Sequence, residues 1–140
     1  MKHLLTIFCL VLLVSCSKEV PSDKLVFRNG FIYEINSTVP FTGSSVDYHD
    51  NGQLSSKGNY KDGKLDGLVE EFYISGQIWN RKNYKDGKLD GLVEEFYLSD
   101  RGGQLWKRKN YKDGKEHGLV EYFSPYGVHY VIEEYKDGKR

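Results

Sequence analysis

Cysteine is almost absent. Of the two in 140 residues, Cys9 and Cys16, neither lies beyond position 16, so nothing from residue 17 to 140 can form a disulfide. Stability must then come from packing and hydrogen bonding. Net charge is also missing, since 20 Lys and Arg balance 20 Asp and Glu. No overall field therefore draws the chain towards nucleic acid or acidic membranes, and any partner has to be read from local features. The longest apolar stretch, Leu4 to Val14, is eleven residues interrupted by Thr6 and Cys9. That is well short of the roughly 20 residues a membrane-crossing helix needs. Proline is scarce at three residues and apolar content is modest at 39%, whereas tyrosine is abundant at 11. This mixture suits exposed, pleated β-structure better than a deep helical core. The length leaves room for one domain with a modest core.

The first fifteen residues have the build of an address. Met1, Lys2 and His3 give a short positive start, and the apolar run follows directly. This is the pattern of an export signal. The run ends in Leu13-Val14-Ser15-Cys16, which resembles the lipobox of bacterial lipoproteins, where a lipid is attached to the cysteine and the chain is cut just before it. The resemblance makes Cys16 the expected lipid attachment site. In a Gram-negative host, Ser17 after that cysteine implies the outer membrane, facing the periplasm. The expected organisation is a lipoprotein signal peptide over 1–15, a lipidated tether over 16–24 and a β-hairpin repeat domain over 25–140. The polar stretch Ser17 to Asp23 suits a mobile linker.

The main signal is a repeat. Tyr-Lys-Asp-Gly-Lys begins at Tyr60, Tyr84, Tyr111 and Tyr135, at spacings of 24, 27 and 24 residues. A fixed period of this length indicates a repeat array. Gly67, Gly91 and Gly118 are each followed by Leu-Val-Glu, with Phe72, Phe96 and Phe123 five places after the glycine, and a weaker first copy runs from Gly43 to Tyr48. The longer spacing arises where Ser99-Asp100-Arg101-Gly102-Gly103 replaces Ser75-Gly76. The insertion falls in a turn, where insertions are tolerated.

Each unit reads as two strands. Leu68 to Tyr73 is rich in branched and aromatic residues, Ser75-Gly76 permits a reversal, and Gln77 to Tyr84 returns before Asp86-Gly87 reverses the chain again. Asp-Gly suits a primed two-residue turn because both central positions need positive φ. A β-branched residue at Gly87 should damage it. The expected fold is all-β, an extended antiparallel meander of about four hairpin units. Alternation sets Leu68, Glu70 and Phe72 on one face and Val69, Glu71 and Tyr73 on the other. The aromatic columns of Phe72 and Tyr84 are expected to stack as the core ladder, each cross-strand aromatic pair contributing about 0.2 to 1 kcal/mol. Trp79 and Trp106, with Tyr130 in the same column, are expected to form a second ladder on the opposite face. Leu25 to Ile35, centred on Asn29-Gly30, reads as a starting hairpin. The last unit carries Val128, Tyr130, Val131 and Ile132, as a cap closing the sheet edge would.

The run Gly-Lys-Leu-Asp-Gly-Leu-Val-Glu-Glu-Phe-Tyr, followed by Ser-Gly-Gln-Ile-Trp and Asn-Tyr-Lys-Asp-Gly-Lys, resembles the variant MORN repeat found in YwqK-family antitoxins. The resemblance extends from about Phe41 to the C-terminus. It implies a string of β-hairpins forming an elongated curved sheet, used for protein association, membrane proximity or neutralising a toxin, and it brings no catalytic residues. A conventional antitoxin meets its toxin in the cytoplasm, whereas the lipobox directs this chain outward.

Four residue patterns invite chemistry. His49, His117 and His129 fall in different units with no second ligand at metal-site spacing, so no metal is expected. Glu70-Glu71 and Glu94-Glu95 suggest the paired carboxylates of a glycosidase, but neighbours on a strand point to opposite faces, and cross-strand pairing with Arg81, Lys82, Arg108 and Lys109 explains them. Asp62 to Gly67 lacks the third oxygen ligand and closing glutamate of a calcium loop. Trp106-Lys107-Arg108-Lys109 interleaves an aromatic with cations as nucleic-acid binders do, which the neutral charge and export signal oppose.

The reading is a non-enzymatic envelope lipoprotein, with no cofactor, whose repeat face binds a protein or a cell-wall component through Trp79, Trp106, Tyr73 and Tyr97. Aromatics beside arginine are common interface anchors. An antitoxin or immunity-type inhibitor is the alternative, and an envelope hydrolase acting through the glutamates the third.

Overall fold

The computed structural model describes residues 18–100 and 103–140. The expected signal peptide and Cys16 lie outside the described residues, as do Arg101 and Gly102 of the insertion. Eleven strands follow one another: β1 (Glu19–Pro21), β2 (Leu25–Arg28), β3 (Phe31–Glu34), β4 (Gly43–Tyr48), β5 (Leu54–Lys61), β6 (Lys64–Phe72), β7 (Ile78–Lys85), β8 (Lys88–Tyr97), β9 (Gln104–Lys112), β10 (Lys115–Phe123) and β11 (His129–Tyr135). Nine of them make one sheet in the order β1-β4-β5-β6-β7-β8-β9-β10-β11, and β2 and β3 pair separately. From β4 onward every neighbour in the sheet is also a neighbour in sequence, and all those pairings are antiparallel. The hairpin meander is thus the observed fold.

The Asp-Gly turns have the expected conformation for a local reason. Asp62, Asp86 and Asp113 take φ of 49°, 49° and 50°, and Gly63, Gly87 and Gly114 take 79°, 83° and 82°. Both central residues are left-handed, the primed turn whose twist matches that of the flanking strands. The turns are also joined to one another. The amides of Gly87, Gly114 and Gly138 donate to the carbonyls of Leu65, Leu89 and Glu116 in the preceding unit, each at 2.8 Å. At the opposite ends of the strands, Tyr73 and Gln77 close a wider loop in which Gly76, at φ 81°, donates to the Tyr73 carbonyl.

Four features differ from the sequence reading. The expected tether ends earlier, because Glu19–Pro21 pair in parallel with Ser44 to Val46 of β4 and Ser22–Lys24 form one turn of 3-10 helix. Val20 is buried there, and Glu19 binds Lys57 at 2.7 Å, so burial and an ion pair hold residues that look polar in sequence. The starting hairpin exists, with Asn29-Gly30 at its turn, but β2 and β3 stand apart from the array. They pack on the first Asp-Gly turn, where the Ile32 amide donates to the Gly63 carbonyl and the Phe41 amide to the Ile32 carbonyl.

The third difference concerns the aromatic ladder. Cross-strand partners share a face and alternate residues along a strand share a face. By register, Val69, Lys82, Val93, Lys109 and Val120 lie on one face and Glu70, Arg81, Glu94, Arg108 and Glu121 on the other. Phe72 follows the second set and Tyr84 follows the first, so the two columns cannot form one core ladder. Phe96 and Phe123 are instead covered by the guanidinium groups of Arg81 and Arg108, each 5.7 Å from the ring centre. The tightest burial is on the valine face, with Val120 and Asn80 both 2% exposed. Finally, β11 is the outermost strand of the sheet among the described residues, and its apolar side chains are not packed away: Val128, Tyr130 and Ile132 on or beside it are exposed.

Candidate binding face

Trp79, Trp106 and Tyr130 share a backbone position that alternation alone does not reveal. In β7, Asn80 pairs with Glu71 and Ile78 with Phe72, which leaves Trp79 as an extra residue. Trp106 is skipped between Leu105 and Lys107, and Tyr130 between His129 and Val131. A β-bulge re-aims the side chain of its extra residue. Here it turns each ring onto the valine face: Trp79 packs against Tyr73 at 6.4 Å between ring centres, Trp106 against Tyr97 at 6.2 Å and Tyr130 against Tyr122 at 6.3 Å. The first unit has Ser55 at the same bulge.

The four candidate contact residues divide into two roles. Tyr73 and Tyr97 are half-buried and spend their hydroxyls inside the fold, donating to the carbonyls of Phe96 at 3.0 Å and Phe123 at 3.4 Å in the following units. They tie unit to unit and support the indoles. Trp79 is 45% exposed and Trp106 is half-buried, so the indoles present the open surface. Tyr130, at 54% exposure, extends the row. Cations border it: Lys82 Nζ lies 5.8 Å from the Trp79 ring, and Lys107 Nζ lies between the Trp106 and Tyr122 rings, at 5.7 and 4.9 Å.

The glutamates form ladders across the sheet. Glu70 binds Arg81 at 3.2 Å and Glu121 binds Arg108 at 2.7 Å on the charged face, while Glu71 binds Lys82 at 3.0 Å and Glu116 binds Lys109 on the valine face. Glu70 and Glu71 therefore point apart and serve different partners, which removes the geometry a carboxylate pair would need across one sugar bond. The Lys109 bond holds Glu116 below the usual carboxylate range, and Arg108 does the same for Glu121. Burial alone would favour neutral Lys109, but its bond to Glu116 keeps its pKa above the ordinary lysine value.

The three histidines have separate structural surroundings. His49 Nε2 donates to the Phe72 carbonyl at 2.9 Å, in the position Tyr73 and Tyr97 occupy later. His117 lies 3.5 Å from Asp137, and His129 stacks on Phe123 with ring centres 4.9 Å apart. Among the described residues no group of three His, Cys, Asp or Glu side chains could hold a metal ion, and no helix is long and apolar enough to cross a membrane.

Sequence reasoning missed a set of polar residues that join the units. Asn59 and Asn83 donate from their side chains to the carbonyls of Leu68 and Leu92, at 2.7 and 2.8 Å. Asp66 and Asp90 accept the amides of Asp86 and Asp113 in the next turn, at 3.3 and 3.1 Å. Gln77 grips the backbone of Ser99 from both sides, donating to its carbonyl at 2.5 Å and accepting its amide at 3.2 Å. Their signal was recurrence: the asparagine returns at Asn110 and the glutamine at Gln53 and Gln104, while the aspartate of Asp66 and Asp90 gives way to His117.

With this geometry the chain is an all-β repeat protein, a row of hairpin units joined through backbone, asparagine, aspartate and glutamine contacts. The family model of the MORN repeat variant matches residues 41–62 and 65–86, the two units bounded by the first two Asp-Gly turns. The units carrying Trp106 and Tyr130 lie beyond those residues and repeat the same bulge and turn geometry. Searches of curated proteins and of solved structures give no significant match.

Proposed function

We propose that this protein is a non-enzymatic envelope lipoprotein, tethered by a lipid on Cys16, that uses its repeat array as a scaffold to bind a protein or a cell-wall component. One observation carries the binding role: the extra residue of three successive bulges is aromatic, exposed at Trp79 and Tyr130 and half-buried at Trp106, although a bulge accepts a small polar residue equally well, as at Ser55. Packing of the sheet alone does not call for large exposed rings in that column. Aromatic anchors with neighbouring cations supply much of the energy of interfaces. The tether reading rests on the sequence of residues 13–16.

The test has two parts. Full-length protein and a Trp79→Ala, Trp106→Ala double variant are used for affinity capture from cross-linked envelopes. The wild type should retain partners that the variant loses, and identical recovery would remove the aromatic face from the account. Separately, fatty-acid labelling of growing cells should mark the wild type and not Cys16→Ala; an unlabelled wild type would refute the tether.

A further inference from the structure

The aromatic row has a spacing that narrows the ligand class. Trp79 lies on β7, Trp106 on β9 and Tyr130 on β11, so consecutive rings are two strands apart in one sheet. At about 4.8 Å per strand this sets a repeat of about 9.6 Å, running across the strands along the array. That distance matches the length of one disaccharide unit in an extended β-linked polysaccharide, whose every second sugar offers the same apolar ring face.

The charge beside the row refines the choice. Lys82 is neutralised by Glu71 at 3.0 Å, but the Lys107 ammonium lies between Trp106 and Tyr122 with no carboxylate within 4 Å among the described residues. A cation held between two ring platforms complements a carboxylate carried on a sugar seated over them. We infer that the valine face binds an extended β-linked glycan with carboxylates on alternate sugars, its sugar rings stacked on Trp79, Trp106 and Tyr130 and one carboxylate paired with Lys107. This rests on the reading of the aromatic face as the binding surface. It differs from that reading by naming the occupant.

The experiment is a titration of the full chain in detergent, followed by tryptophan fluorescence, with two probes. One is peptide-free glycan strands from bacterial sacculi, whose alternate sugars carry a lactyl carboxylate. The other is a chitin oligosaccharide of equal length, which has a similar β-linked backbone and no carboxylate. The sacculus strands should bind the more tightly. Trp79→Ala and Trp106→Ala should each weaken binding by about tenfold or more, as removal of a stacking platform does. Lys107→Met should reduce the preference for the carboxylated strands over chitin, whereas loss of a merely structural lysine would weaken both probes alike. Absence of glycan binding, or affinities unchanged in both tryptophan variants, overturns the inference. If glycan binding is absent but envelope capture still depends on the tryptophans, the glycan is refuted and the binding face stands. If neither depends on them, both fail.

Discussion

Two glycines with the same backbone conformation should respond differently to the same substitution. Gly63 and Gly87 occupy the second position of equivalent Asp-Gly turns, with φ of 79° and 83°. Alanine at either must adopt the left-handed region, at about 1 to 2 kcal/mol, partly offset by the roughly 0.4 to 1 kcal/mol that losing a glycine takes from unfolded-chain freedom. The net backbone cost is then about 1 kcal/mol at both. At Gly87 the new Cβ would meet Lys64 Cβ at 3.7 Å, an ordinary contact. At Gly63 it would lie 2.9 Å from the Ile32 carbonyl oxygen, 2.9 Å from Phe31 Cβ and 3.1 Å from Pro40 Cβ. The β2–β3 hairpin must yield, adding about 1 to 3 kcal/mol of overpacking. At roughly 4 °C per kcal/mol for a domain of this size, Gly87→Ala should lower the melting temperature by about 4 °C and Gly63→Ala by about 8 to 16 °C. Thermal melts followed by circular dichroism decide it. Equal shifts would show that the N-terminal hairpin does not pack on the first turn.

Three further outcomes follow from single contacts. Val120→Ala should cost about 2 kcal/mol in urea unfolding, from lost methyl burial and the cavity left behind, since Val120 is only 2% exposed; a change below about 0.5 kcal/mol would show that the valine face is not the packed one. Gln77→Ala should cost about 1 to 2 kcal/mol, and faster amide exchange at Ser99 should accompany it, because both bonds to Ser99 vanish. Glu116 and Glu121 are held below the usual carboxylate range by Lys109 and Arg108, so their stabilisation is present above the unfolded pKa of about 4.3 and is lost as pH falls through their lower folded values. Melting temperatures measured against pH should fall through that acid window, and Glu121→Gln should flatten part of the drop.

The legible and hidden parts of this fold separate by physical cause. Asp62, Asp86 and Asp113 announced their turns because few residue pairs tolerate two consecutive positive φ values. Strand order followed directly, since short connections leave antiparallel neighbours no other arrangement. The bulges were not legible, because one extra residue breaks the alternation from which faces are assigned; Tyr84 was therefore expected on the face of Phe72, whereas Trp79 was expected on the opposite face and lies there. Strand β1 was hidden for another reason: three residues, Glu19, Val20 and Pro21, carry too little pattern to register, and a parallel pairing with β4 leaves no turn signal. At the candidate face, the indoles stood out as recurrent aromatics. That Tyr73 and Tyr97 are committed to backbone carbonyls depends on where the next unit lies, which no single repeat encodes.

Contacts within β6–β7 or β8–β9 would arise in any string of separate hairpins, so the continuous array is tested at β7–β8 and β9–β10. Nuclear Overhauser measurements on the full chain in detergent should connect Arg81 with Glu94 and Lys82 with Val93, and Lys109 with Val120, because these residues face one another across unit boundaries. Cross-peaks confined to the individual hairpins would contradict the shared sheet and the ordered row of rings that it supports.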